Sequence, residues 1–186
     1  MRAPTLRALV PLLILTTLIA CASTPPAPTG EPTALAPLPV PAARIRAATA
    51  DGRTYVMRVD EEGAPAMYKR MRFQAVTDQG AELVVTQWPV DEAPPEPRPP
   101  VPVTWAALES HAHFPADKTT IADGTTEVPA GMFACRIYTV IEGDGGVTRY
   151  WFANDLPGAP VRYETTKGGA VTTRMVLVEH RPGGGP

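Results

Sequence analysis

The chain reads as a mainly β protein, a curved antiparallel sheet or half-open barrel of about eight strands with one short helix. Three observations predict this. Apolar and polar residues alternate with period two in most segments between residues 54 and 179. Clusters of Gly, Asp, Asn and Pro separate those segments, as turns between strands require. A single stretch, "TWAALESHAHF", carries the marks of a helix.

Arg2 and Arg7 precede an uncharged apolar run of 13 residues, 8–20, which is the layout of a secretory signal. A helix needs about 20 apolar residues to cross a bilayer, and Pro11 weakens a stable span further, so export is the better reading. The run closes on "LIAC", residues 18–21. This tetrapeptide resembles the lipobox of bacterial lipoproteins. The resemblance implies diacylglycerol on the Cys21 thiol, cleavage before Cys21 and acylation of the new amine. About two membrane signals already suffice for stable anchoring, so the implied partner is a membrane, held through the N-terminal acyl chains. In that family an aspartate after the lipidated cysteine retains the protein at the inner membrane. Ala22 stands there instead, which implies the outer membrane, facing the periplasm.

Removing residues 1–20 takes away Arg2 and Arg7 and leaves 15 basic against 19 acidic residues, a net charge of −4. No basic cluster exists to neutralise phosphates, so nucleic acid is not an expected partner. Residues 22–43 hold seven prolines and one charge. Proline fixes φ and removes a backbone donor, so this stretch is expected to be an extended tether. Residues 44–183 are expected to form a single β-rich domain, interrupted by a Pro-rich insertion at residues 89–102 with seven more prolines.

Within the domain, Tyr55, Met57 and Val59 share one face of "TYVMRVD". Met67, Met71, Phe73 and Ala75 share one face of "MYKRMRFQAV", and "AELVVTQW" follows a turn at Asp78, Gln79 and Gly80. Thr104 is a suitable N-cap for the helix at 104–114, which Pro115 ends. A strand at residues 119–128 then precedes a four-stranded meander: "MFACRIYTVI", "VTRYWFA", "VRYETT" and "AVTTRMVLVE". Asp144 and Gly145 suit its first hairpin.

The stretch "VPAGMFACRIYTVIEGDGGVTRYWFANDLPGAPVRYE" resembles a motif of exported bacterial proteins, V-P-A-G-x-F-x-C followed by a hairpin, Y-W and D-x-P-G-x-P-V. Those proteins are similar in outline to the LolA/LolB-like superfamily. The resemblance implies a half-open antiparallel barrel around helices, whose best-known members carry lipoprotein acyl chains in the hollow. Here only one helix is expected, where those carriers have several. Pro129 and Gly131 also have a plain reading as strand-start and bend residues, and Asp155, Pro157 and Gly158 as turn residues.

No constellation for catalysis stands out, and the chain is read as a non-enzyme with no cofactor. Neither a nucleophile elbow nor a phosphate-binding glycine loop is present. Cys135, the one cysteine remaining once Cys21 is acylated, falls on an apolar face with Phe133 and Ile137 and reads as a buried small residue. His111 and His113 would share a face on a strand but diverge on a helix, so they are weak metal candidates; His180 is a weaker one still. Tyr150, Trp151 and Phe152 are the candidate ligand surface. The expected function is a lipid-anchored envelope lipoprotein that binds an apolar ligand, such as a lipid, or an envelope protein. The alternatives are a structural or assembly lipoprotein without ligand and, remotely, a metal-dependent enzyme.

Overall fold

The computed structural model describes residues 34–184. The signal, the lipobox with Cys21 and the first part of the tether therefore lie outside the described residues. The nine strands are β1 (Thr54–Glu61), β2 (Met67–Gln74), β3 (Gly80–Pro89), β4 (Val101–Thr104), β5 (Thr119–Val128), β6 (Gly131–Ile141), β7 (Val147–Ala153), β8 (Arg162–Lys167) and β9 (Ala170–Arg181). They form one antiparallel sheet in the order β4-β3-β2-β1-β9-β8-β7-β6-β5. It is not closed: β4 and β5 are its edges. The helices are α1 (Ala42–Ala48) and α2 (Trp105–Ser110), and a single 3-10 turn spans Ala116–Lys118.

The mainly β, open antiparallel architecture is as the sequence predicts, and the meander from β6 to β9 falls where the alternation and turns place it. Register explains why one face is apolar. A single cross-strand row runs Ile121, Tyr138, Tyr150, Tyr163, Met175, Val59 and Met67. A neighbouring register position pairs Met57 with Leu177, and both are fully buried. Fully burying a side chain of this size contributes about 1.5–3 kcal/mol. Register shifts between Val56 and Met57, and between Thr165 and Thr166, add local twist on either side of β9.

Four features differ from the sequence reading. A ninth strand, β4, emerges from the end of the expected Pro-rich loop. Pro102 is tolerated there because β4 is an edge strand, where a missing donor breaks no ladder. Ala75 takes φ +47°, so β2 ends at Gln74 and Ala75 leaves the apolar face. The helix expected at 104–114 is capped by Thr104 as anticipated, its hydroxyl accepting from Ala107 N at 3.1 Å, but stops at Ser110. Tight turns follow, with Ala112 N donating to Glu109 O and His113 N to Ser110 O, and Phe114 then drops into the core.

The fourth difference is the largest. Residues 34–43 belong to the folded body, although the tether was expected to run to residue 43. Ala36 N donates to Phe114 O and Ala116 N to Ala34 O, both at 2.8 Å. The buried Tyr138 hydroxyl donates to Pro37 O at 2.7 Å, and Ala36 and Val40 are buried. Proline density hides this, because polyproline-like backbone that cannot pair with itself can still offer carbonyls to a neighbour. The unexpected helix α1 follows Pro41, whose φ of −65° suits a helix start. Pro41 has no capping side chain, and Glu109 of α2 supplies the acceptor instead, its Oε2 taking Ala42 N at 2.6 Å.

Candidate functional site

The segment 34–41, α1, α2 and Phe114 lie over the apolar face of the sheet, and they do not fill it. Between sheet and cover remains a cavity of about 520 Å³, within the range of small-molecule sites. Val59, Met71, Phe73, Leu83, Val85 and Met175 form much of its sheet wall, and Val40, Ile45, Leu108 and Ala112 much of its roof.

An aromatic cluster stands at one side. Phe114 packs against Tyr150 at 4.9 Å between ring centroids and against Tyr138 at 5.6 Å, and Tyr138 meets Phe152 edge to face at 5.6 Å. The three residues proposed as a ligand surface therefore divide. Tyr150 and Phe152 line the cavity, while Trp151, one step out of phase on β7, projects from the opposite face. There its ring lies between the guanidinium groups of Arg149 and Arg162, 5.7 and 4.7 Å from its centroid.

Polar groups line the cavity at several places, Glu109 and His111 from the roof among them. Glu61 ends β1, Lys69 and Gln87 stand level with Met57 in mid-strand, and Glu61 and Gln87 are exposed. At the start of β1 stands Arg53, which is only 2% exposed. Its Nη1 donates to Thr49 Oγ1 at 3.1 Å and its Nη2 to Pro157 O at 2.8 Å, with a longer 3.4 Å contact from Nε to His180 Nε2. The guanidinium also lies 4.9 Å from the centroid of the Tyr55 ring. Burial lowers the Arg53 pKa from its ordinary value. Burial pushes the Tyr55 hydroxyl up to about 12, against the opposing pull of Arg53, so this phenol is a neutral donor, and it shares Pro157 O at 3.2 Å. His180 is lowered by burial and by the Arg53 charge, and its Nε2 is placed to accept. Gly158 closes this corner with φ +139°, and a Cβ there would stand 2.8 Å from the Tyr55 hydroxyl.

The remaining candidates have plainer surroundings. Cys135 is 1% exposed and donates to Phe133 O at 3.5 Å. Burial, reinforced by Asp155, pushes its thiol up to about 11, so it is held protonated. His111 lines the cavity, whereas His113 faces Glu109, Nε2 to Oε1 at 3.7 Å. Among the described residues no group of three or more His, Cys, Asp or Glu side chains is placed to hold a metal ion.

Sequence reasoning missed Arg53, Phe114, Tyr138 and the segment 34–41. The signal for Arg53 was present: it stands two residues before Tyr55, in phase with the apolar stripe of β1, where a charge is out of place. No protein-family model matches this chain, and no curated protein matches it.

Proposed function

We propose that this chain is a lipid-anchored envelope lipoprotein, acylated at Cys21 and held at the outer membrane, whose β-domain binds an apolar ligand between its sheet and its helical cover. The observation that carries the binding half of this reading is the 520 Å³ cavity. A sheet with one apolar face must be covered, and a cover that stops short of close packing leaves space for a guest. The anchoring half rests on the "LIAC" tetrapeptide directly after the charged and apolar regions of the export signal.

Native mass spectrometry of the membrane-extracted chain tests both halves. The expected result is a chain starting at Cys21 with acyl mass on that residue, together with a non-covalent apolar molecule in one-to-one ratio. A Cys21→Ser chain that still matures normally and fractionates with membranes would contradict the anchoring. A second reading, an assembly lipoprotein without ligand, is favoured by exposed apolar side chains on edge elements, namely Val101 on β4 at 59% exposure and Met132 beside the β5–β6 turn at 73%. Recovery of a protein partner without lipid from a pull-down of the mature chain would select it.

A further inference from the structure

Arg53 presents a physical problem. Its side chain is withdrawn from water, yet among the described residues no carboxylate lies within ion-pair distance of it. Desolvating a charge costs several kcal/mol even after relaxation, and buried charges are as a rule paired. Here the partners are one hydroxyl, one carbonyl, one imidazole and one aromatic ring. All four are neutral, because burial and the Arg53 charge both oppose protonation of His180. A guanidinium has five N–H donors. Three are occupied, and one hydrogen remains on each terminal nitrogen.

Arg53 is also part of the cavity wall. It stands at the start of β1, Lys69 lies opposite Met57 midway along the strand, and Glu61 marks the other end. The eight-residue interval between Arg53 and Glu61 corresponds to about 26 Å of extended strand at about 3.3 Å per residue. Val59, Met71, Met175 and Phe152 line the space between. The cavity thus suits an amphiphile: a buried positive charge at one end, a mostly apolar length with the half-buried Lys69 at its side, and a polar rim.

We propose that the ligand is a single-chain amphiphile with a carboxylate head, seated with that head on Arg53 and its hydrocarbon chain along β1. This deepens the apolar-ligand reading above and rests on it. Two free N–H groups on one guanidinium match the two oxygens of a carboxylate. At that end of the cavity Arg53 is the one cation in the wall among the described residues, and it neutralises a monoanion, whereas a doubly charged phosphate would stay half uncompensated there. The bound carboxylate offsets the desolvation of Arg53, and Arg53 offsets that of the carboxylate. Thr49, Pro157 and His180 hold the guanidinium in place from α1, the β7–β8 loop and β9.

The test compares hexadecanoate with hexadecanol, which has the same chain and no charge, on the full chain carrying Cys21→Ser so that no acyl group of its own competes. Charge-assisted hydrogen bonds predict the acid to bind about 10–100-fold more tightly than the alcohol. Arg53→Gln is expected to remove that preference by weakening the acid alone, and its retained affinity for the alcohol reports an intact cavity. The same comparison as the pH falls below about 4, where a carboxyl of ordinary pKa takes up its proton, needs no variant and must shrink the preference progressively. Equal binding of acid and alcohol at neutral pH, or a preference that is undiminished in Arg53→Gln or as the pH falls, overturns the assignment and leaves the apolar-ligand reading standing. Tighter binding of lysophosphatidylglycerol than of hexadecanoate overturns the carboxylate head. Failure of both acid and alcohol to bind overturns the apolar-ligand reading and this inference with it.

Discussion

The two faces of the sheet solve opposite problems with the same strands. On the helix side, Tyr150, Phe152, Met57 and Leu177 meet other apolar side chains, and the buried cation Arg53 has no ion-pair partner among the described residues. On the other side, several charges are paired directly. Glu164 accepts from both Arg162 and Arg174 at 2.6 Å, and Asp60 accepts from Arg58 at 2.9 Å. Burial pushes the Glu164 carboxyl up, yet the hydrogen bonds from Arg162 and Arg174 outweigh it and hold the group below its ordinary value. Even Trp151, as buried as Phe152, is covered there by arginines. Glu164 and Asp60 thus have ion-pair partners at partly exposed positions, whereas the deeply buried Arg53 has none among the described residues. The carboxylate ligand proposed above would supply the missing partner.

The sharpest way to separate the faces is to truncate adjacent residues on β7. Phe152→Ala and Trp151→Ala are each expected to cost about 3–5 kcal/mol in chemical denaturation, because both remove a buried aromatic. Ligand affinity should change only for Phe152→Ala. Parallel loss of affinity in Trp151→Ala, measured where both variants are folded, would break the distinction between the faces.

A smaller effect is expected from Tyr138→Phe. It removes the bond to Pro37 O and should cost about 1 kcal/mol. Protease cleavage within residues 34–41 should rise with it, since that carbonyl is one of the ties between segment and sheet. Unchanged cleavage would mean that the bridge at Leu35 and the Ala36 bond to Phe114 hold the segment by themselves.

The smallest effect concerns pH. With its folded pKa lowered, His180 is neutral in folded and unfolded chains above about pH 6.5 and adds no slope there. Below that the unfolded chain takes up a proton that the folded chain resists, so stability falls until the lowered folded value is passed. His180→Asn should flatten this part of the stability profile. An unchanged slope between pH 6.5 and the acid limb would show that His180 is not held neutral beside Arg53.

The parts of the fold legible in the sequence were those with a strong local period. The strand from Met132 to Ile141, the hairpin at Asp144 and Gly145, and the Thr104 cap each declare themselves within ten or so residues. What escaped was long-range. Segment 34–41 is structured by hydrogen bonds to Phe114 and Tyr138, residues far along the chain, and its own composition signals only extended backbone. Helix α1 takes its N-terminal acceptor from Glu109, 67 positions away. The candidate site was half visible for the same reason. Alternation identified Tyr150 and Phe152 as aromatic neighbours in sequence, but which side of β7 would face a cavity depended on where α2 and Phe114 would lie. Arg53 was the readable exception, a charge in phase with Tyr55, Met57 and Val59.

The central claim, that a ligand occupies the space between sheet and helices, is tested most directly by its location. Met71 and Met175 line the cavity, whereas Met132 is 73% exposed beside the β5–β6 turn and away from it. In the chain labelled at its methionine methyl groups, titration with hexadecanoate should shift the Met71 and Met175 signals saturably at one equivalent and leave Met132 in place. Shifts confined to Met132, or no saturable shift at either lining methionine, would contradict it.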